Sequence, residues 1–191
     1  MKKLILLLCL CCGFAKAEER KPNILLVVTD DESWLERKAY GWSVIPTPVF
    51  DRIAKEGVLF TRAYASAPSC APSRAALLTG RNFWELEQGA FIQAWLPKKF
   101  PVLPELLAKE GYLTGRIGKG WGPGVHPEDA HGDEVAGKVY NAIKREKPEK
   151  GLSAMDYAKN FQAMLKDRKD GQPFFCWLGM QEPHDPWAPG N

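Results

Sequence analysis

Asn23 to Val28, NILLVV, is an unbroken apolar run rich in branched side chains, the pattern of a strand buried on both faces of a parallel sheet. It gives way at once to Thr29-Asp30-Asp31-Glu32, which puts an acidic cluster at the strand's carboxyl end. TPVFDRIAKEG changes period. Thr47 stands as N-cap, Pro48 as the first helical residue and Gly57 as the stop, with Phe50, Ile53 and Ala54 on one face. Val58 to Phe60 reads as a short extended piece, and the loop TRAYASAPS leads to Cys70, ahead of a helix predicted from Arg74 to Thr79 and stopped at Gly80. The alternation then repeats. Leu103 to Glu110 reads as a short helix closed by Gly111, YLTGRIGK as an extended run ending at Lys119, and GWGPGVHPEDAHGDE as an aperiodic loop. Ser153, with Asp156 three residues on, reads as a capping box for a helix to about Lys169. After the Asp170-Gly171 turn, PFFCWLGM is a second strongly apolar strand, and it delivers EPHDP.

Strands alternating with helices predict an α/β fold, a mostly parallel sheet with helices on both faces. In such sheets functional groups gather beyond the carboxyl ends of the strands. Asp30 and Asp31, Lys119 and His184 each follow a predicted strand. Three separate segments therefore converge on one sheet edge with two carboxylates, an ammonium and an imidazole.

Composition narrows the context. The first residues, MKKLILLLCLCCGFAKA, have the layout of a secretory signal peptide: Lys2 and Lys3, an apolar core from Leu4 to Phe14, and Ala15-Lys16-Ala17 as the cleavage site. That core is too short for a helical membrane span, so no stable anchor is expected, and the mature chain is placed in the periplasm or outside the cell. Cleavage after Ala17 leaves Cys70 and Cys176, for which a disulfide is the simplest structural use in an oxidising compartment. With 26 basic and 23 acidic residues the formal charge is +3, too even to imply a nucleic-acid partner. The one basic cluster, Lys138 to Lys150, is interrupted by Glu146 and Glu149 and reads as a solvated helical face or loop. The chain stops in a Pro/Gly loop just after an apolar strand, which reads as a domain incomplete at its C-terminus.

Adjacent carboxylates at a strand end suit a hard divalent cation with oxygen ligands, Ca²⁺ or Mg²⁺, although capping or surface acids have the same look. Lys119 and His184 suit an anionic tetrahedral group together, and ordinary loop positions separately. Cys70, ahead of a helix N-terminus, stands where the dipole favours a thiolate, and Arg74 one turn on can reach back toward it and the acids. These residues give a metal-assisted anion site with Cys70 as candidate nucleophile. They do not give the reaction.

Cys70-Ala71-Pro72-Ser73-Arg74 followed by Leu78-Thr79-Gly80-Arg81 resembles, at every specified position, the sulfatase pattern Cys-x-Pro-Ser-Arg-x-x-x-Leu-Thr-Gly-Arg. PNILLVVTDD is similar to that family's first strand with its metal-binding aspartates, GYLTGRIGKG to the strand carrying its active-site lysine, and PFFCWLGMQEPHDPW to the strand ending in Pro-His-x-Pro. The resemblance spans residues 18–191 and implies the N-terminal portion of a sulfatase catalytic domain with an alkaline-phosphatase-like fold. It implies that a maturation enzyme converts Cys70 to formylglycine, whose hydrate attacks the sulfur of a sulfated sugar or glycosaminoglycan and later expels sulfate by reforming the aldehyde. Asp30 and Asp31 would hold Ca²⁺, with Mg²⁺ as the other hard cation. Arg74 would orient the modified residue and neutralise nearby carboxylates, and Lys119 and His184 would bind sulfate oxygens.

The likeness departs from the family in two places. The family's remaining metal ligands, an Asp and an Asn or Gln, fall downstream of Asn191, so this piece alone is expected to be inactive. Where sulfatases often continue Gly-Lys-Trp-His, this chain has Gly118-Lys119-Gly120-Trp121, so Trp121 takes the place of a histidine for which His126 or His131 would have to substitute. The opening segment, Gln172 to Phe175 and the Pro-His ending look most like the heparan N-sulfatase branch, and Trp95, Trp121 and Trp187 are either sugar-stacking platforms or core residues. A phosphoester or phosphonate hydrolase of the same superfamily, and an inactive secreted carbohydrate-binding remnant, are the competing functions.

Overall fold

The computed structural model describes residues 20–185, so the leader expected at residues 1–17 and Trp187 lie outside the described residues. Four strands, β1 (Ile24–Val28), β2 (Leu113–Gly118), β3 (Lys138–Val139) and β4 (Phe174–Gly179), form one sheet in the order β1-β4-β2-β3, every pair parallel. Four α-helices accompany them: α1 (Pro48–Glu56), α2 (Cys70–Thr79), α3 (Leu103–Lys109) and α4 (Tyr157–Lys166). No helix among the described residues is long and apolar enough to cross a membrane.

The sheet divides two apolar clusters. One joins Ala71, Ala75 and Leu78 of α2 to Leu86, Leu96, Val102, Trp121, Phe175 and Trp177. The other packs Ile117 and Cys176 against Met164 of α4 and Tyr140. Alternate residues of β4 thus serve opposite faces, Phe175 and Trp177 toward α2 and Phe174 and Cys176 toward α4, as the two-residue period of a strand requires. Helices cover both faces, the fold class the alternation predicts.

Local differences have local causes. α2 begins at Cys70, not Arg74, because Pro72 falls in the first turn, where its missing N–H is one of the unpaired donors anyway. Asp156 rather than Ser153 caps α4, accepting from Lys159 N at 2.9 Å, and the helix ends at Lys166. The segment beginning at Lys138 opens as strand β3 and then runs as irregular chain to Lys150, the loop rather than the helical face. α1 has the predicted boundaries but buries none of its residues, and Ile53 is 60% exposed.

Two glycines set how β2 and β4 end. Gly118 has φ +74°, and a Cβ there would lie 2.0 Å from Gly179 O. A Cβ on Gly179 would lie 1.9 Å from Lys119 O. Only residues without side chains allow this approach, across which Lys119 N donates to Gly179 O at 2.9 Å. The backbone of the strand ends, not side-chain packing, fixes where Lys119 leaves the sheet.

Candidate active site

β4 lies between β1 and β2, so the chain leaving β1 and the chain leaving β2 flank the segment that follows β4. Asp30, Lys119 and His184 meet there, as the strand pattern predicts, and α2 brings Cys70 to the same place. All four line one cavity of about 590 Å³ with Arg116, Trp121, Tyr157 and Gln181. Asp31 sits beside it, 55% exposed at its side chain, with φ +59°, a left-handed conformation that aspartate adopts more readily than most residues.

Asp30 organises the centre. Its carboxylate is buried and accepts from Arg74 Nη2 at 3.1 Å on one oxygen and from Lys119 Nζ at 2.5 Å on the other. Burial by itself raises the Asp30 pKa, but the hydrogen bonds from Lys119 and Arg74, with their charges, outweigh it and hold the carboxyl below its ordinary range. Arg74 spends its other terminal nitrogen on Lys119 O and Gly120 O, both at 3.0 Å. It thereby ties α2 to the loop after β2 as well as to the acid. Trp177 Nε1 donates to the same Lys119 carbonyl at 3.0 Å.

Lys119 also donates to Cys70 Sγ at 3.2 Å, so one ammonium bridges the thiol and the buried carboxylate. The thiol is free, as is that of Cys176, and no disulfide joins them. Cys176 points into the α4-side cluster, where burial pushes its pKa up to about 12. One cysteine therefore sits among charges and the other in apolar packing.

His184 Nδ1 lies 2.7 Å from Asp185 O and 2.6 Å from Asp185 Oδ1, while Nε2 stands 3.6 Å from Asp31 Oδ2. Its loop is held on both sides. Asp30 N donates to Glu182 O at 3.2 Å, and the Glu182 carboxylate accepts from Tyr157 Oη and Ser153 N, each at 2.9 Å. Gln181 N donates to Tyr157 Oη at 2.9 Å. Glu182 lies inside the EPHDP segment but was overshadowed by His184, and Tyr157 belongs to no motif; only its position at the start of a capped helix pointed toward the strand ends. Arg116 escaped the sequence analysis too. It is buried, donates to Gly118 O and Asp133 Oδ2 at 2.8 Å each, and supports the turn that carries Lys119.

The other histidines have structural posts. His131 is buried, with Nε2 2.8 Å from Phe100 O and Nδ1 3.0 Å from Glu105 Oε1. His126 reaches the His131 carbonyl and meets the Trp121 ring edge-on at 5.7 Å. Neither lines the cavity of Asp30 and Cys70, so neither takes the place that Trp121 occupies. Trp121 and Trp95 belong to the α2-side core or pack against it.

As donors for a hard cation, Asp30 and Asp31 fit in kind. Each Asp30 oxygen keeps a lone pair beyond the one given to Arg74 or Lys119, and Asp31 presents an exposed carboxylate next to it. Lys119 and His184 thus share a cavity with a nucleophile-type side chain at a helix N-terminus, while Arg74 holds Asp30 and the loop after β2.

The sulfatase family profile matches residues 22–191, and the chain belongs to the sulfatase family. Human N-acetylgalactosamine-6-sulfatase is 40% identical over 126 residues, 60% of this chain and 24% of that protein. N-acetylglucosamine-6-O-sulfatase of Bacteroides thetaiotaomicron is 33% identical over 193 residues, 94% of this chain and 34% of that one. A solved structure of a protein in complex with its substrate D-glucosamine-2-N,6-O-disulfate superposes with a TM-score of 0.66 at 26% identity, covering 88% of this chain and 36% of that chain. The chain thus spans about a quarter to a third of the length of these curated relatives.

Proposed function

We propose that this chain carries the nucleophile and the anion-binding groups of a hydrolase that cleaves sulfate from sulfated hexosamines. The observation that carries the reading is the Cys70–Lys119–Asp30 relay at the head of α2, on a cavity that His184 also lines. Formylglycine at position 70 would supply, as its hydrate, an oxygen nucleophile able to release sulfate afterwards without water attacking sulfur. A hard cation, Ca²⁺ in this reading, would be held by Asp30 and Asp31 and would supply positive charge to the sulfate oxygens.

The chain's own residues do the rest. Lys119 places its ammonium against position 70, where it neutralises a sulfate oxygen and the charge that develops as the sulfur–oxygen or sulfur–nitrogen bond breaks. Arg74 holds Asp30 and the Lys119 and Gly120 carbonyls, so its part is positional. His184, steadied by Asp185, faces the cavity and donates a proton to the departing sugar oxygen or nitrogen. An exported, periplasmic or secreted protein matured by a formylglycine-generating enzyme fits the leader and the motif.

The relatives named above carry 6-sulfatase and 6-O-sulfatase names, whereas the terminal segments resemble the N-sulfatase branch, and both agree on a sulfated amino sugar. The test combines two measurements on protein made with a maturation enzyme. Mass spectrometry of the Ser69–Arg74 peptide should show a loss of about 18 Da, opposite in sign to thiol oxidation. N-sulfo- and 6-O-sulfo-glucosamine, offered separately to protein carrying this chain, should then divide the two branches. An unmodified thiol together with no sulfate release from either sugar would sink the proposal.

A further inference from the structure

Cys70 Sγ, a carboxylate oxygen of Asp30 and a ring nitrogen of His184 all lie within 4.8 Å of one another. They face the same cavity. Donors bound tetrahedrally to zinc lie about 3.5 Å apart, given metal–ligand distances of about 2.0–2.3 Å. The three groups are thus within side-chain adjustment of enclosing such an ion.

The donor chemistry differs from that of the Asp30–Asp31 pair. One sulfur, one imidazole and one carboxylate make a set for Zn²⁺ and its neighbours, whereas Ca²⁺ and Mg²⁺ take oxygen throughout. His184 is prepared for such a role: Asp185 engages Nδ1, which leaves Nε2 as the coordinating atom. A carboxylate on the far nitrogen is the usual partner that orients a metal-binding histidine. Lys119 Nζ stands between two of these donors, 3.2 Å from Cys70 Sγ and 2.5 Å from Asp30 Oδ2, so an ion enters by displacing that ammonium toward the cavity.

We propose that the folded chain, while position 70 keeps its thiol, binds one transition-metal ion of the Zn²⁺ class through Cys70 Sγ, Asp30 and His184 Nε2. Binding releases the thiol proton to solvent and leaves the remaining coordination position to water from the cavity. Loss of the sulfur on conversion removes the softest ligand, so metal class at this site follows the chemical state of residue 70. The binding itself does not depend on sulfatase turnover, and its failure would leave the proposed hydrolysis standing.

Co²⁺ titration of the full chain provides the test, with Cys9, Cys11 and Cys12 replaced by serine so that leader thiols do not contribute. A near-ultraviolet sulfur-to-cobalt charge-transfer band should grow to one equivalent, disappear on adding Zn²⁺ and persist in excess Ca²⁺. Cys70→Ser should abolish the band while circular dichroism shows the fold intact. His184→Ala should weaken Co²⁺ binding at least about tenfold, the scale on which metal sites respond to lost ligand support. Cys176→Ser should leave binding unchanged. No band in the parent chain, a band that survives Cys70→Ser, or one unaffected by His184→Ala would overturn the proposal.

Discussion

β1 and β4 run side by side in register, Leu25 opposite Cys176 and Val27 opposite Leu178, and both are apolar throughout. Their burial diverges. Phe175, Cys176 and Trp177 are 1% exposed or less, while Leu25 and Val27 are 48% and 51% exposed. β4 has a strand on each edge and helices on both faces; β1 has one paired edge among the described residues and α1 beside it, a helix with no buried residue. Between α1 and β1 lies a cavity of about 830 Å³ lined by Leu25, Val27, Pro48, Val49 and Ile53. Hydrophobic sequence specifies a strand, but neighbours decide whether that strand is core. The site draws its fixed cations from the buried region, and only the Asp30–Asp31 pair comes from the end of the more open strand.

The sharpest way to expose that contrast is paired truncation. Trp177→Ala removes a core indole and the donor to Lys119 O, and should cost about 3–5 kcal/mol in denaturant unfolding. Ile53→Ala on α1 should change stability by no more than about 0.5 kcal/mol. Equal effects would mean that the α1 face is covered in solution.

Arg74→Ala should rank close behind Trp177→Ala. Asp30 would keep its buried charge with one partner gone, a loss of about 3–5 kcal/mol for a broken buried pair. Arg74→Lys should recover only part, because a single ammonium cannot span Asp30 and the two carbonyls that the guanidinium holds. Full recovery of the unfolding midpoint by lysine would show that charge alone matters there.

The smallest effect at neutral pH belongs to the cysteines. Iodoacetamide at pH 8 should label Cys70 and spare Cys176 until denaturant is added. The folded Cys176 pKa of about 12 lies above the ordinary 9.0, so stability is complete below about pH 9 and declines as the pH rises toward 12. Cys176→Ala should flatten that alkaline decline. Tyr157, whose hydroxyl pKa burial also raises, works in the same direction and would leave a residual slope.

Most of the frame was legible in the sequence because its signals were strong and local. NILLVV and PFFCWLGM could scarcely be anything but strands, and α1 announced its own ends through Thr47, Pro48 and Gly57. The convergence of Asp30, Lys119 and His184 followed from strand polarity alone. The two-residue β3 carries too few positions for a period to register, and the shift of the α4 cap from Ser153 to Asp156 turned on which side chain reached Lys159 N. The supports of the site were hidden for another reason. Glu182 meets Tyr157 across 25 residues and Arg116 meets Asp133 across 17, and a chain of letters holds no record of which distant side chain each one finds.

The glycine pair at the strand ends has a mechanical meaning. Gly118 and Gly179 interlock their backbones so closely that the exits of β2 and β4 share a single hinge line. The lysine next to Gly118 and the loop that carries the histidine therefore set out from one shared junction, and a side chain added at either glycine would disturb the starting point of both.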